Sequence, residues 1–328
     1  MTTGESLAFG LVGYGEVGGI LGAALAKTGR ARVAAWDLLL ASEPAAGPMR
    51  AQAGTAGVTT VGSMAELTAR SAVIVSAVTA SQAWAVADQA ARTIRRGTWF
   101  MDLNSCSPGT KQRSSQRIDA AGGRYVESAV MTSVPPYGIR VPMLLGGPHA
   151  AGLKDLLAPL GFSMEVAAPT IGVASAIKMC RSVIIKGLES LVVESFGTAR
   201  AYGVEQPVLD SLKDTFPTLD WETLGSYLAS RTALHGKRRA EEMREVAVTV
   251  REAGLDPWMS TAIAERQALM GALKAQGAFA GLAKDANWRE DADRVLAATG
   301  DAAPAVQPGG AASGPTPHGE GIAATSRR

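Results

Sequence analysis

Near the start of the chain, Gly13-Tyr14-Gly15-Glu16-Val17-Gly18 has the spacing G-x-G-x-x-G. In that pattern the first glycine permits a tight turn, and the second lets the backbone approach a pyrophosphate. The third lets a helix pack closely on a strand. The pyrophosphate then sits at the helix N-terminus, where unsatisfied N–H groups and the helix dipole favour an anion. Asp37 follows 19 residues after Gly18, at the end of a second strand-like run, where a carboxylate can bond both ribose hydroxyls. The bland alternative is a structural turn beside a surface aspartate. It leaves unexplained why the loop follows a predicted strand, opens a predicted helix and precedes a spaced acid. A carboxylate at 37 repels a 2′-phosphate, and no arginine occurs in Leu38-Leu39-Leu40. NAD is therefore expected ahead of NADP, with Arg50 the basic residue that would reverse the preference. Val78 and Thr79, closing the third strand-like run, complete the expected cofactor contacts.

Lys178 stands in an otherwise small and apolar stretch that begins at Gly172, whereas a solvated lysine usually has charged neighbours. Ser182 lies one turn on, on the same helix face. The competing reading is a lysine that snorkels to solvent. A second candidate segment is Asp102-Leu103-Asn104-Ser105-Cys106-Ser107-Pro108, which puts short hydrogen-bonding side chains at the carboxyl end of a strand. Open α/β sheets bind ligands there. Ser107 as an N-cap with Pro108 at the first helical position accounts for those two residues. Asn104 and Ser105 remain as candidates.

These residues need elements to position them. The first half alternates strand-like runs (Ala8 to Val12, Arg32 to Asp37, Ala72 to Val78, Thr98 to Leu103, Arg124 to Met131, Val141 to Leu145) with helical segments. Near-continuous apolar strands between helices indicate a parallel sheet covered on both faces. After Pro169 the strand signal stops. Gly172 to Tyr202 has no proline and keeps a helical period, long enough at ~1.5 Å per residue to bridge two domains. Helical segments follow, punctuated by Pro207, Pro217, Gly236 and the Gly254-Leu255-Asp256-Pro257 break. The expected architecture is α/β: a Rossmann-type doubly wound sheet over 1–169, then an all-α domain over 170–300 entered by the long helix. Over 301–328, proline, glycine, alanine and serine dominate, and a disordered tail is expected.

The chain has 328 residues, 47% of them hydrophobic and 19% charged, with a formal charge of +2. No basic block points to nucleic acid. No apolar run reaches the ~20 residues that span a bilayer, and residues 1–6 do not read as a leader. A cytoplasmic protein is expected. Two cysteines, Cys106 and Cys180, suit a reducing compartment. Three scattered histidines, His149, His235 and His318, make a zinc site unexpected.

With these segments in place, the chain resembles the β-hydroxyacid dehydrogenases, relatives of 6-phosphogluconate dehydrogenase, over roughly Ala8 to Gly300. It is most similar to the branch whose C-terminal part is a domain of unknown function of the DUF1932 type. The resemblance implies that Lys178 is the catalytic lysine and that Ser182 stands where the family has an asparagine. It also implies that Asn104 and Ser105 contribute to the substrate pocket. Glu127-Ser128-Ala129-Val130-Met131-Thr132-Ser133 matches the family's substrate-recognition strand. There Met131, Thr132 and Ser133 replace a serine and two glycines that bind a carboxylate, so a simple hydroxy acid does not follow. His235-Gly236-Lys237-Arg238-Arg239-Ala240-Glu241-Glu242-Met243 also looks like that branch. It makes His235 a candidate substrate contact, across a dimer, while a solvated helix with Arg238–Glu241 and Arg238–Glu242 pairs fits equally well.

The implied activity is hydride transfer between nicotinamide and the alcohol carbon of a small hydroxy-acid-like or related polar substrate. Lys178 would act as general acid and base. A free lysine titrates near ~10.4, so working near neutrality requires a depression of several pH units. Two alternatives stand beside it: an imine or ketone reductase on the same scaffold, and a non-catalytic dinucleotide-binding sensor. The long helix exposes apolar surface unless a second copy covers it, so a homodimer or dimer of dimers is expected.

Overall fold

The computed structural model describes residues 6–283 and 286–299. The tail reading at 301–328, and the leader reading except for Ser6, lie outside the described residues.

Eight strands form one sheet: β1 (Leu7–Val12), β2 (Ala31–Trp36), β3 (Thr59–Thr60), β4 (Val73–Ser76), β5 (Trp99–Asp102), β6 (Arg124–Val130), β7 (Met143–Gly146) and β8 (Met164–Ala168). Their order is β3-β2-β1-β4-β5-β6-β7-β8. The order reverses between β1 and β4, and the crevice beyond the carboxyl ends of such strands is where ligands bind. Along β1, Phe9 and Leu11 face one core with Val33, Val75, Met101 and Val126. Val12 faces the other with Ala34, Ile74, Phe100 and Tyr125. Burial on both faces is why these strands read as continuous apolar runs rather than as an alternating pattern.

Two expectations about the sheet are corrected. It is not wholly parallel, because β7 pairs antiparallel with β6. Strands β3 and β8 were missed. The first is two residues long, and the second is a partly exposed edge strand whose short sequence, MEVAA, is interrupted by Glu165.

Among the described residues, six α-helices pack with the sheet: α1 (Glu16–Lys27), α2 (Ala46–Thr55), α3 (Met64–Arg70), α4 (Ala83–Ala91), α5 (Pro108–Ala120) and α6 (Ala150–Leu157). Five follow: α7 (Val173–Tyr202), α8 (Glu205–Thr215), α9 (Trp221–Glu252), α10 (Trp258–Ala275) and α11 (Trp288–Thr299). The long helix falls where its periodicity predicts. Gly172 and Gly203 bound it with φ of +107° and +66°, left-handed conformations that glycine adopts at little cost. Its N-terminus is held by the buried Glu127 of β6. That carboxylate accepts from Gly172 N (2.7 Å), Ala174 N (3.1 Å) and Ser175 Oγ (2.8 Å). A carboxylate suits that end because the first N–H groups lack intrahelical partners and the dipole is positive there.

Gly236 does not punctuate anything: α9 runs through it unbroken. A Cβ at Gly236 would lie 2.6 Å from Gln267 O and Gly271 N, and one at Gly271 would lie 2.6 Å from Lys237 N. The two glycines let α9 and α10 cross at backbone contact, which offsets the ~1 kcal/mol that glycine costs a helix interior.

Helix α9 also ties the helical part to the sheet. Glu245 accepts from Ser107 N (2.9 Å), and Glu252 accepts from Ser107 Oγ (2.8 Å) and Gly109 N (2.9 Å). Both carboxylates therefore sit at the N-terminus of α5, where Ser107 is the N-cap and Pro108 the first helical residue, as the sequence indicates. Among the described residues no helix is long and apolar enough to cross a membrane.

Candidate active site

The glycine loop joins β1 to α1. Gly13 has φ +88°, and a Cβ there would lie 2.5 Å from Ala77 O, while a Cβ at Gly18 would lie 2.1 Å from Gly13 O. Both positions therefore require glycine for close backbone approach. A Cβ at Gly15 would meet nothing within 4 Å, and no side chain caps the start of α1. This open N-terminus fits a dinucleotide pyrophosphate, and Glu16 and Val17 form the first turn beneath it. Asp37 accepts from Tyr14 N at 2.8 Å and from Leu39 N at 2.9 Å, so its carboxylate is fixed against the loop it was paired with on spacing alone. Arg50 is tied to Glu43 (2.9 Å) and to Leu40 O (2.9 Å), just beyond that turn.

Just beyond β4, Val78 lies against Gly13 of the loop, where a Cβ would come within 2.9 Å of it, and Thr79 is exposed. Asn104 is buried beneath them. Its Oδ1 accepts from Val78 N (2.7 Å) and its Nδ2 donates to Ser76 Oγ (2.9 Å). Its own N–H donates to Asp102 Oδ1 (2.9 Å), and Asp102 is buried with Lys111 Nζ at 2.9 Å and the Tyr125 hydroxyl at 2.7 Å. Asn104, expected to touch substrate, is thus engaged in joining the ends of β4 and β5 and holding Val78. Ser105, the next residue, faces α7.

Lys178 Nζ donates to Ser105 Oγ at 2.6 Å. Burial pushes its pKa down to about 8, with Lys186, Lys111 and Arg238 acting in the same direction and Glu242 against. Ser182 is buried one turn on, but its Oγ accepts from Lys186 Nζ (3.2 Å) rather than from Lys178. Lys186 in turn pairs with Glu242 Oε2 at 3.0 Å, and Arg238 reaches Glu242 Oε1 at 3.4 Å. Burial would raise the Glu242 carboxyl, but Lys186, Arg238 and Lys178 outweigh it and hold it down at about 2. Lys186 and Glu242 were missed as site residues. The signal available was the spacing of Lys178, Ser182 and Lys186 at i, i+4 and i+8, one continuous helix face.

Beyond β6, Met131 is half-buried and Thr132 exposed. Ser133 Oγ meets Arg231 Nη1 and Nη2, each at 3.4 Å. No carboxylate among the described residues pairs with Arg231, and its buried Nε has no partner there. His235, one turn along α9, is half-buried. Burial and the charges of Arg238, Arg231 and Arg239 push it down to about 4, while Glu16 of the glycine loop pulls the other way. It is therefore a neutral imidazole in a cationic stretch, electrostatically linked to the glycine loop of its own chain. Cys106 is a buried thiol raised to about 12 by burial, whereas Cys180 is exposed.

A switch-point crevice with this glycine loop, under a helical region carrying a desolvated lysine, defines a nicotinamide-dinucleotide-binding protein of the oxidoreductase class. Residues 8–138 match the NAD binding domain of 6-phosphogluconate dehydrogenase, and residues 199–270 match a domain of unknown function, DUF1932. The chain belongs to the 6-phosphogluconate dehydrogenase-like NAD-binding family, in the branch that carries DUF1932. A conserved hypothetical protein from Sinorhizobium meliloti 1021 is 36% identical, with a TM-score of 0.70, over 89% of this chain and 96% of that one. A conserved protein of unknown function, described as structurally similar to 3-hydroxyacid dehydrogenases, is 31% identical with a TM-score of 0.63. That match covers 83% of this chain and 99% of that one. The 3-hydroxyisobutyrate dehydrogenase of Mycobacterium tuberculosis, solved with L-serine, shares the fold. Its TM-score is 0.63 at 16% identity, over 88% and 98% of the chains.

Proposed function

We propose that the protein is an NAD-preferring dehydrogenase acting on the alcohol carbon of a small polar substrate, hydroxy-acid-like or related, with Lys178 as general acid and base. The observation that carries the reading is the Lys178–Ser105 contact of 2.6 Å at the carboxyl edge of the sheet, with the lysine pushed down to about 8. When bound, the nicotinamide takes up or supplies the hydride. Lys178 takes the hydroxyl proton during oxidation and returns it during reduction. Ser105 spends a lone pair on Lys178, so its own hydrogen is available to the substrate oxygen. Met131, Thr132, Ser133 and His235 are assigned to the substrate side of the same reading, supported by the contact of Ser133 with Arg231. A guanidinium without a carboxylate partner favours a substrate that carries negative charge or a strong acceptor.

The experiment is a panel of alcohols and hydroxy acids, with the absorbance of reduced nicotinamide followed using NAD and then NADP. Turnover of at least one alcohol, faster with NAD, is expected. Absence of turnover across the panel in either direction leaves the dinucleotide-sensor reading in its place.

A homodimer, or a dimer of dimers, belongs to the same proposal. Ile177, Ile184, Leu188 and Leu191 are exposed on α7 at spacings of seven, four and three residues, a continuous apolar stripe.

A further inference from the structure

Lys186 is a buried ammonium that the acid–base step of Lys178 does not use. We infer that Lys186, anchored by Glu242, is a positioning residue that fixes the Ser182 hydroxyl as a hydrogen-bond donor, toward Lys178 in the free protein and toward the substrate oxygen once substrate is bound. The inference rests on the reading of Lys178 as the acid–base group.

An ammonium has donors and no acceptor. At 3.2 Å from Ser182 Oγ, Lys186 must donate, which uses a serine lone pair and leaves the serine hydrogen to point elsewhere. Lys178 lies one turn back on the same helix face, and the inference is that the hydroxyl turns that way, to the lone pair of neutral Lys178 or, when substrate is bound, to its oxygen. Ser105 is fixed in the same way by Lys178 itself. Each serine thus has a lone pair engaged by a lysine of α7 and an O–H left to donate, and two such donors would suit an alcohol oxygen that gains negative character as its proton leaves. Lys186 can hold this role only if it stays charged and in place. A buried charge is tolerated where it is paired, and Glu242 Oε2 at 3.0 Å supplies the pair.

The charges around Lys178 fit this arrangement. Lys111 from α5, Lys186 on α7 and Arg238 from α9 oppose its protonation, and Glu242 from α9 favours it. The remaining nearby acids are engaged elsewhere. Asp102 is on Lys111, Glu127 is on the start of α7, and Glu245 is on Ser107 N. Removing Lys186 should therefore raise Lys178 through charge alone. The discriminating variant is Ser182→Ala, which should raise Lys178 only while Lys186 holds the serine, a dependence that a merely structural ion pair would not show.

The test reads Lys178 directly. The full-length chain is acylated with acetic anhydride across a pH series, and modification of the Lys178 peptide is quantified by mass spectrometry. The wild type should show a midpoint near 8. Lys186→Met should move it upward, and Ser182→Ala should move it upward alone but not when combined with Lys186→Met. In the alcohol-oxidation assay Lys186→Met should lower kcat more than it raises KM, because Ser182 loses its fixed orientation. If Lys186→Met fails to fold, a midpoint unmoved by Ser182→Ala overturns the inference by itself. The same Ser182→Ala shift with and without Lys186 overturns it whatever the turnover. A wild type that oxidises no alcohol overturns the proposed function while the acylation midpoints still decide the role of Lys186.

Discussion

Lys178 Nζ lies 2.6 Å from Ser105 Oγ, so a residue in the second turn of α7 meets one at the end of β5, 73 positions earlier. Both ends are fixed independently. Glu127 holds the start of α7, and the Asp102–Asn104 turn holds Ser105 beside Val78. The contact is therefore set by buried hydrogen bonds on either side rather than by the flexibility of one long side chain.

Replacing that lysine should separate chemistry from binding. Lys178→Ala is expected to lower kcat by about 10²–10⁴ while the Kd for NAD, measured by calorimetry, stays near wild type. Ser182→Ala should cost less, about 1 kcal/mol or several-fold in rate, because it removes one orienting bond. Equal damage from the two variants would make Lys178 structural and put an imine reductase ahead of an alcohol dehydrogenase. Lys178→Arg should not oxidise, since arginine cannot act as a base near neutrality.

The pH dependence has a definite sign. Burial lowers Lys178 to about 8, so the neutral base accumulates only as pH rises through that value. Oxidation kcat/KM should climb through about 8 and level off above it, and reduction, which needs the ammonium, should fall over the same range. A flat profile for oxidation across that range would remove Lys178 from the proton transfer.

Glu127→Gln tests the cap on α7. The variant keeps one acceptor oxygen but loses the charge that three donors share, at a cost of about 1.5–3 kcal/mol. Calorimetry should show a Tm lower by several degrees, with activity reduced because the helix start carries Lys178. An unchanged Tm would mean that α7 is held by other contacts.

Cofactor choice is expected to follow Asp37. Asp37→Ala should shift the ratio of kcat/KM values toward NADP, even though both cofactors bind more weakly once Tyr14 N and Leu39 N lose their acceptor. The ratio is the readout. A wild type that prefers NADP would refute the assignment and turn attention to Arg50.

Assembly should depend on the apolar stripe of α7. Ile184 is 63% exposed and Leu191 56% in the single chain. Light scattering at micromolar concentration should give at least a dimer, and Ile184→Glu with Leu191→Glu should give the monomer mass. A monomeric wild type would refute the homodimer.

The glycine loop, Asp37 and the long helix were legible in the sequence because each depends on local rules. A tight turn needs glycine at a fixed spacing, and a helix shows its period along its own length. Lys178 was legible for a related reason, since a charge alone among small apolar residues conflicts with its surroundings. The tertiary structure decided what depends on partners distant in the chain. Gly236 reads locally as a break, and only the approach of Gly271 shows it to be a helix crossing. Glu127 reads as part of a strand, and only the arrival of Gly172 and Ser175 makes it a helix cap. The direction of β7, the engagement of Asn104 under Val78, and the pairing of Lys186 with Glu242 belong to the same group. Sequence spacing constrains neighbours within a turn or a strand. Which buried polar groups must find each other across distant stretches of chain is settled by the packing that takes them out of water.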